Sequence, residues 1–449
     1  MFNTIFFERK RYYLNLTKKN VFLHKFVAMM RSIFSVLFLL YIFSIFSFAQ
    51  ISNQTLNGRD GEANVITTAV PFLTIAPDSR SGAMGDAGVS TSPDINSQHH
   101  NPAKYAFMKN DFGISISYTP WLRQLINDIN LAYLSAYKKI GGGQVLSGSL
   151  RYFSLGDITF TNMQGEVTGQ HRPNEFAIDF GYNRLLSKYF SGSVTLRYIN
   201  SNLTGGYSGS GPQTKVGQAF SSDVSAFFTR QLEVNKKNSE VNAGINISNI
   251  GSKMSYTDNA VKDFLPAMLR LGSSFKMDLD EYNSLMAVAE ISKLLVPTPP
   301  VYYAVGDTLP NGTIVNIPQK YVRYGKDPLV SVPAGIFQSF WDAPGVILDP
   351  LNPDDRSVAK EEWREINWSF GLEYWYSKQF ALRGGYFHEN ETKGNRKFFT
   401  VGLGLRLKVF SLDFSYLIPT SQRHPLGNTL RFTLMFDFES TKKENKENK

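Results

Sequence analysis

Beyond residue 110 the chain alternates apolar and polar residues with a period of two. In 189–200 (YFSGSVTLRYIN), Phe190, Val194, Leu196 and Tyr198 share one face with Gly192, while Ser191, Ser193, Thr195 and Arg197 share the other. In 174–186, Phe176, Ile178, Phe180 and Tyr182 oppose Glu175, Asp179 and Asn183. The segments 409–417 and 428–438 repeat the pattern, with Asp413 and Arg431 among their polar positions. Such alternation predicts strands with one apolar and one polar face. A half-solvated sheet and a transmembrane barrel with a polar lumen both satisfy it.

The connections separate the two. Fourteen strands are expected at 111–119, 128–139, 144–155, 174–186, 189–200, 216–231, 240–250, 266–278, 283–293, 366–377, 379–388, 397–407, 409–417 and 428–438. Links after odd-numbered strands are long, whereas those after even-numbered strands are mostly tight, such as GGG at 141–143 and Ser187-Lys188. The polar stretch 232–239 (EVNKKNSE) reads as a longer turn and an exception. An even strand number with short turns on one side and long loops on the other is the pattern of an outer-membrane β-barrel, with short periplasmic and long extracellular connections. Closure also removes unpaired edges, which hydrocarbon penalises heavily. The expected fold is therefore all-β: an antiparallel transmembrane barrel of about 14 strands, 111–438. Tyr118, Trp121, Trp368, Tyr374, Trp375 and Tyr376 near strand ends suit the aromatic girdles of such barrels.

Composition agrees. Charged residues are 19% and aromatics 14% of 449 residues, and the mean hydropathy of −0.21 excludes a helical membrane protein. There are no cysteines, which removes disulfides and thiolate metal sites. The net charge of +9 sits mostly in residues 1–49, where seven basic residues face Glu8 alone. No basic stripe remains elsewhere, so a nucleic-acid partner is not expected. Lys25 and Arg31 precede an apolar run at 33–48, and Ala49-Gln50 follows, the layout of a secretory signal peptide cut after Ala49. Met29 or Met30 would serve as a start. The polar residues 439–449 read as a short periplasmic tail.

Two segments fall outside the strand pattern. The first, 294–365, holds 10 of the 20 prolines, yet is rich in aromatics, including Tyr321, Tyr324, Phe337, Phe340 and Trp341, with Ile336 beside them. It is expected to fold over the barrel mouth as an extracellular loop, and an exposed aromatic cluster favours a protein-binding surface. The second, 50–110, is expected to begin on the periplasmic side and to plug the lumen. Its stretch GAMGDAGVSTSPDINSQHHNPAKYAF (82–107) contains Gly82, Gly85 and Gly88. A phosphate loop would need a lysine and a serine or threonine after the glycines, and Pro93 blocks the helix of a dinucleotide fold. His99 and His100 are adjacent and diverge, a poor chelate, and no serine lies in a nucleophile context. No catalytic, cofactor or metal site is read here, and no enzyme. A structural motif remains, with Gly82, Gly85 and Gly88 permitting close approach, Asp94 capping a turn, and Asn101-Pro102 setting an extended or turn geometry.

These same residues resemble the N-terminal motif of the PorV (LptO) family, outer-membrane barrels of the Bacteroidetes type IX secretion system, within the FadL-like superfamily. YGKDPLVSVPAGIFQSFWDAPG (324–345) is similar to a stretch of that family's long loop. The resemblance spans 65–438. It implies an outer-membrane protein, in contact with the lipid bilayer and lipopolysaccharide, that binds the C-terminal signal domain of secreted cargo. The cargo would be taken from the Sov translocon and passed to the PorU sortase and the attachment complex. A FadL-like transporter of long-chain fatty acids or other hydrophobic solutes is the alternative, with the N-terminal segment as a hatch. The mostly Ser, Thr, Gly, Asn, Asp and Arg lumenal positions argue against a greasy conduit.

Overall fold

The computed structural model describes residues 63–122, 128–162, 164–203, 205, 214–258, 262–421 and 425–438. The leader with its expected cleavage site and the tail at 439–449 lie outside the described residues. Fourteen strands close into an antiparallel barrel: β1 (Phe112–Pro120), β2 (Ile129–Gly141), β3 (Gln144–Leu155), β6 (Asn174–Ser187), β7 (Phe190–Asn202), β8 (Gly217–Val234), β9 (Lys237–Gly251), β10 (Met268–Asp278), β11 (Asn283–Leu294), β16 (Asn367–Tyr376), β17 (Phe380–His388), β18 (Lys397–Arg406), β19 (Phe410–Pro419) and β20 (Leu430–Phe438). Neighbours in sequence pair in order, and β1 closes on β20 from Phe112↔Phe438 to Tyr118↔Phe432.

The alternation sets inside and outside. Along β1, Ser115, Ser117 and Thr119 are buried in the interior, while Ile116 and Tyr118 are exposed on the outer wall. Phe180, Leu196, Leu372 and Leu403 continue this outer apolar belt. The aromatic expectation divides by the same parity. Tyr118 and Tyr376 face outward, but Trp375 is buried inside, where Arg383 and Arg406 lie over its ring at 5.4 and 4.6 Å. Trp121 also turns inward, half-buried against the apolar cluster that contains Phe72 and Leu73.

The stretch 232–239 forms a tight turn and not the longer one that its polarity suggests. β8 runs on to Val234 and β9 restarts at Lys237, leaving the two-residue turn Asn235-Lys236. Both residues have positive φ, 52° and 60°. This is the geometry whose twist matches a tight hairpin, and asparagine tolerates it. The polar residues are therefore strand ends projecting past the membrane, so every even-numbered barrel connection is tight.

The long connections carry short structure of their own. A hairpin, β4 (Ile158–Thr161) with β5 (Val167–His171), rises between β3 and β6. Between β11 and β16 come β12 (Val301–Tyr302) with β13 (Val322–Tyr324), a helix (Val332–Gln338), β14 (Val346–Asp349) with β15 (Asn352–Ser357), and a second helix (Val358–Arg364).

Residues 79–107 run inside the barrel as two helical turns, α1 (Ser79–Gly82) and α2 (Ser97–His100), and a 3₁₀ helix (Pro102–Phe107). The helices at 332–338 and 358–364 are thus α3 and α4. At residues 64–69 the chain lies at the long-loop end of the barrel. The Asn64 amide donates to the Thr392 carbonyl and Ala69 to Phe264, both in long loops, and only at Lys109–Asp111 does the chain reach the short-turn end of β2. The cause is apolar. Val70, Phe72 and Leu73 find a tier of inward-facing Leu131, Phe153, Ala177, Ile199 and Ala219 at the long-loop end of the lumen. The lumen is polar below and apolar above, a tier that the period-two reading of Ser, Thr and Asp positions did not register.

Candidate functional site

The inner segment makes few regular backbone bonds of its own, so its polar groups need partners from the wall. Side chains from strands all around the barrel supply them. Ser135 Oγ of β2 donates to the Ile95 carbonyl (3.0 Å), Ser191 of β7 to Ala103 (2.7 Å) and Ser274 of β10 to Ser90 (2.7 Å). Asn246 Nδ2 of β9 donates to His100 O at 2.9 Å. In the other direction, the amides of Gly88 and Val89 donate to Glu290 of β11 (2.7 and 2.9 Å), Gly85 to Thr400 of β18 (2.9 Å) and Ser79 to Thr433 of β20 (2.9 Å).

A charge ladder crosses the same space. Arg80 makes a two-pronged pair with Glu373 and a further bond to Asp94 at 2.7 Å. Glu373 also accepts from Arg383, which bonds Asp413, both at 2.7 Å. On the far wall Arg197 joins Asp179 and Asp223. Each charge is buried and paired, so removing one member leaves an uncompensated charge.

The three glycines have separate reasons. Gly85 has φ +67°, and a Cβ there would strike the Tyr386 backbone of β17. Gly82 lies under the Arg431 side chain and Gly88 under the His100 ring. Asp94 receives the Arg80 bond. Asn101 is extended (φ −163°, ψ 94°), caps Ala103 N, and donates to Val89 O and Ala226 O before Pro102 opens the 3₁₀ helix. His99 bonds Arg151 through Nδ1 (2.6 Å) and His100 bonds Asp78 (3.0 Å), so the two rings serve different partners. Among the described residues no group of three or more His, Cys, Asp or Glu could hold a metal ion. Lys104 was unforeseen. It folds back on the glycine turn and donates to Gly88 O (2.8 Å) and Thr91 Oγ1 (3.0 Å). Its sequence signal was a lone lysine amid small residues. For Glu373, Arg383 and Asp413 the signal was charge on lumen parity.

The second site is the loop between β11 and β16. Phe337, Phe340 and Trp341 are exposed on and after α3, while Ile336 beside them is half-buried. Leu329 and Trp363 extend the exposed apolar group. Tyr324 is spent within the loop, with its hydroxyl on Asp354 and Arg356 over its ring at 4.2 Å. Tyr321 is half-buried, its carbonyl accepting from Tyr303 N. The base of the loop is fixed by α4. Glu361 and Glu365 receive Lys393 at 2.7 and 2.9 Å, and Glu362 receives Lys293 at 3.0 Å. Asp342 sits buried beside this cluster. Burial and the neighbouring Glu362 push its carboxyl up to about 6.

A closed 14-stranded barrel with an apolar outer belt, a polar-tiered lumen filled from within and one-sided long loops defines an integral outer-membrane β-barrel protein. The family model described as "Type IX secretion system protein PorV" matches residues 58–301. The chain belongs to the PorV family and is an outer-membrane component of the type IX secretion system. No curated protein matches it. Among solved structures, it is similar to the Ralstonia pickettii toluene transporter TbuX (11% identity, TM-score 0.40, covering 81% of this chain and 98% of that one). The Pseudomonas putida toluene transporter TodX gives 12%, 0.40, 80% and 98%, and a Pseudomonas aeruginosa FadL homologue gives 10%, 0.37, 84% and 100%.

Proposed function

We propose that this barrel binds the C-terminal signal domain of secreted cargo at the Sov translocon and carries it to the PorU sortase and attachment complex at the cell surface. The observation that carries this reading is the exposed cluster Phe337, Phe340 and Trp341 on a loop held in place by the Lys293, Lys393, Glu361, Glu362 and Glu365 charges. Exposed aromatics on a pre-ordered scaffold lose little side-chain entropy on binding, the property of protein-binding hot spots. The inner segment's role is then to keep the barrel sealed while the loop works outside.

Solute transport of the fatty-acid kind would need the inner segment to leave the lumen. The apolar tier that would receive a solute is filled by Phe72 and Leu73, and Arg80 with Glu373 ties the segment below. These contacts favour the secretion reading. The test is a strain whose only copy carries Phe337→Ala, Phe340→Ala and Trp341→Ala. Cargo with uncleaved signals should accumulate in the periplasm while the barrel remains at normal abundance. Normal surface cargo in that strain would sink the proposal.

A further inference from the structure

The loop creates a cavity of about 620 Å³ on the outside of the barrel. Its inner wall is Leu269 and Leu271 of β10 with Ile291 of β11. Register sets these on the outward parity, opposite to the lumenal Arg270 and Glu290, because Leu271 pairs with Ile291 and Ile291 with Trp368. Its outer wall is Phe340 and Trp341, with Val358 and Trp363 of α4. Trp363 also packs on Trp368 at 5.7 Å. The niche therefore lies at the long-loop, outer-leaflet end of the same wall that faces lipid.

We propose that this cavity holds an acyl chain of an outer-leaflet membrane lipid. Three observations select that occupant. The inner wall is continuous with the lipid-facing belt, so bilayer lipid already borders the opening. The polar groups at the lining are Ser292, whose position is on lumen parity, and Lys293 with Glu362, which pair with each other at 3.0 Å. A peptide entering the niche would bury unsatisfied backbone groups, whereas a hydrocarbon chain has none to satisfy. A cationic group borders the outer wall. Lys326 stands over the ring of the lining residue Trp341 at 5.3 Å, which suits the phosphate of a lipid head group. The volume falls within the roughly 300–1,000 Å³ of small-molecule sites. The loop would then be steadied from below by lipid, leaving the outer edges of Phe340 and Trp341 free.

The test is photolabelling of the full chain in phosphatidylethanolamine nanodiscs. A trace of phosphatidylethanolamine with a diazirine on its acyl chain serves as the probe, and adducts are mapped by peptide mass spectrometry. Label should concentrate on 340–341 and 358–366 above the level at the exposed belt residue Leu372. It should be lost in Leu271→Trp and in Ile291→Trp, which fill the cavity from two strands, and kept in Leu372→Trp. Heat-modifiable gel mobility identifies variants whose barrel is folded. Cavity labelling no higher than at Leu372 overturns the proposal, as does labelling unchanged in either folded filling variant. If the niche instead seats a partner protein, the lipid probe will not label it in nanodiscs and outer-membrane extract will protect its peptides. That result also overturns the lipid assignment. Phe340 and Trp341 line the niche and Phe337 does not, so the two readings are separated by Phe337→Ala alone, which should impair cargo delivery and leave the lipid label in place.

Discussion

Arg80 and Glu373, 293 residues apart in sequence, form a two-pronged pair at 2.8 and 2.9 Å inside the barrel. Glu373 is held from its other side by Arg383, and Arg383 by Asp413, so one inner-segment side chain is tied through three strands. This makes the segment a fixed part of the lumen.

Arg80→Ala should detach that tie. Breaking a buried pair from one side costs about 3–5 kcal/mol, charged to the docking of the segment and not to the barrel. Amide exchange at 79–107 should quicken while the strands stay protected, and planar bilayers should show ion conductance absent from the parent protein. Unchanged exchange would mean that the pair is dispensable.

Gly85→Val should act at the neighbouring contact. A left-handed backbone costs an L-residue about 1–2 kcal/mol, and the new Cβ would meet the Tyr386 backbone, which cannot move without disturbing β17. The same exchange pattern as in Arg80→Ala is expected, without any change of charge.

Asp342 gives the loop a pH dependence. Its folded pKa is raised to about 6 by burial and Glu362, so the folded loop holds the proton more tightly than the unfolded chain does. The contribution of Asp342 to loop stability is fully present below the ordinary aspartate range, is lost as pH rises through about 4 to 6, and then levels off. Tryptophan fluorescence from Trp341 and Trp363 should follow that transition, and Asp342→Asn should flatten it and tighten the loop at pH 7. A parent loop that gains stability relative to Asp342→Asn between pH 4 and 6 would contradict the assignment.

At the turn between β8 and β9, Lys236 carries φ 60° without the tolerance that asparagine or glycine has. Lys236→Gly should raise the thermal midpoint in detergent by relieving about 1 kcal/mol of backbone strain, and Asn235→Val should lower it.

The barrel was legible because strand parity and loop-length asymmetry are local signals repeated fourteen times. The turn at 235–236 was not, since charged residues read as loop whether or not they project beyond a membrane. Trp375 looks like a girdle residue because Tyr374 and Tyr376 flank it, but parity sends it to the lumen with Arg383 and Arg406. The depth of the inner segment depends on long-range partners such as Phe72 with Phe153, whose rings stack at 6.0 Å, and no local pattern encodes such a pair. Glycine spacing at 82–88 identified a compact turn but not which neighbour each glycine had to clear.

The pairing of β1 with β20 fixes an order of events. The Ser79 amide meets Thr433 across 354 residues, and Arg431 of the closing strand lies over Gly82. The start of α1 thus completes its contacts only once β20 is in place. Until the seam between Phe112 and Phe438 zips, the nascent sheet is open and its channel is incompletely filled. Biogenesis of this barrel therefore ends with simultaneous closure and sealing, and truncation within β20 should yield a leaky pore as well as a frayed edge.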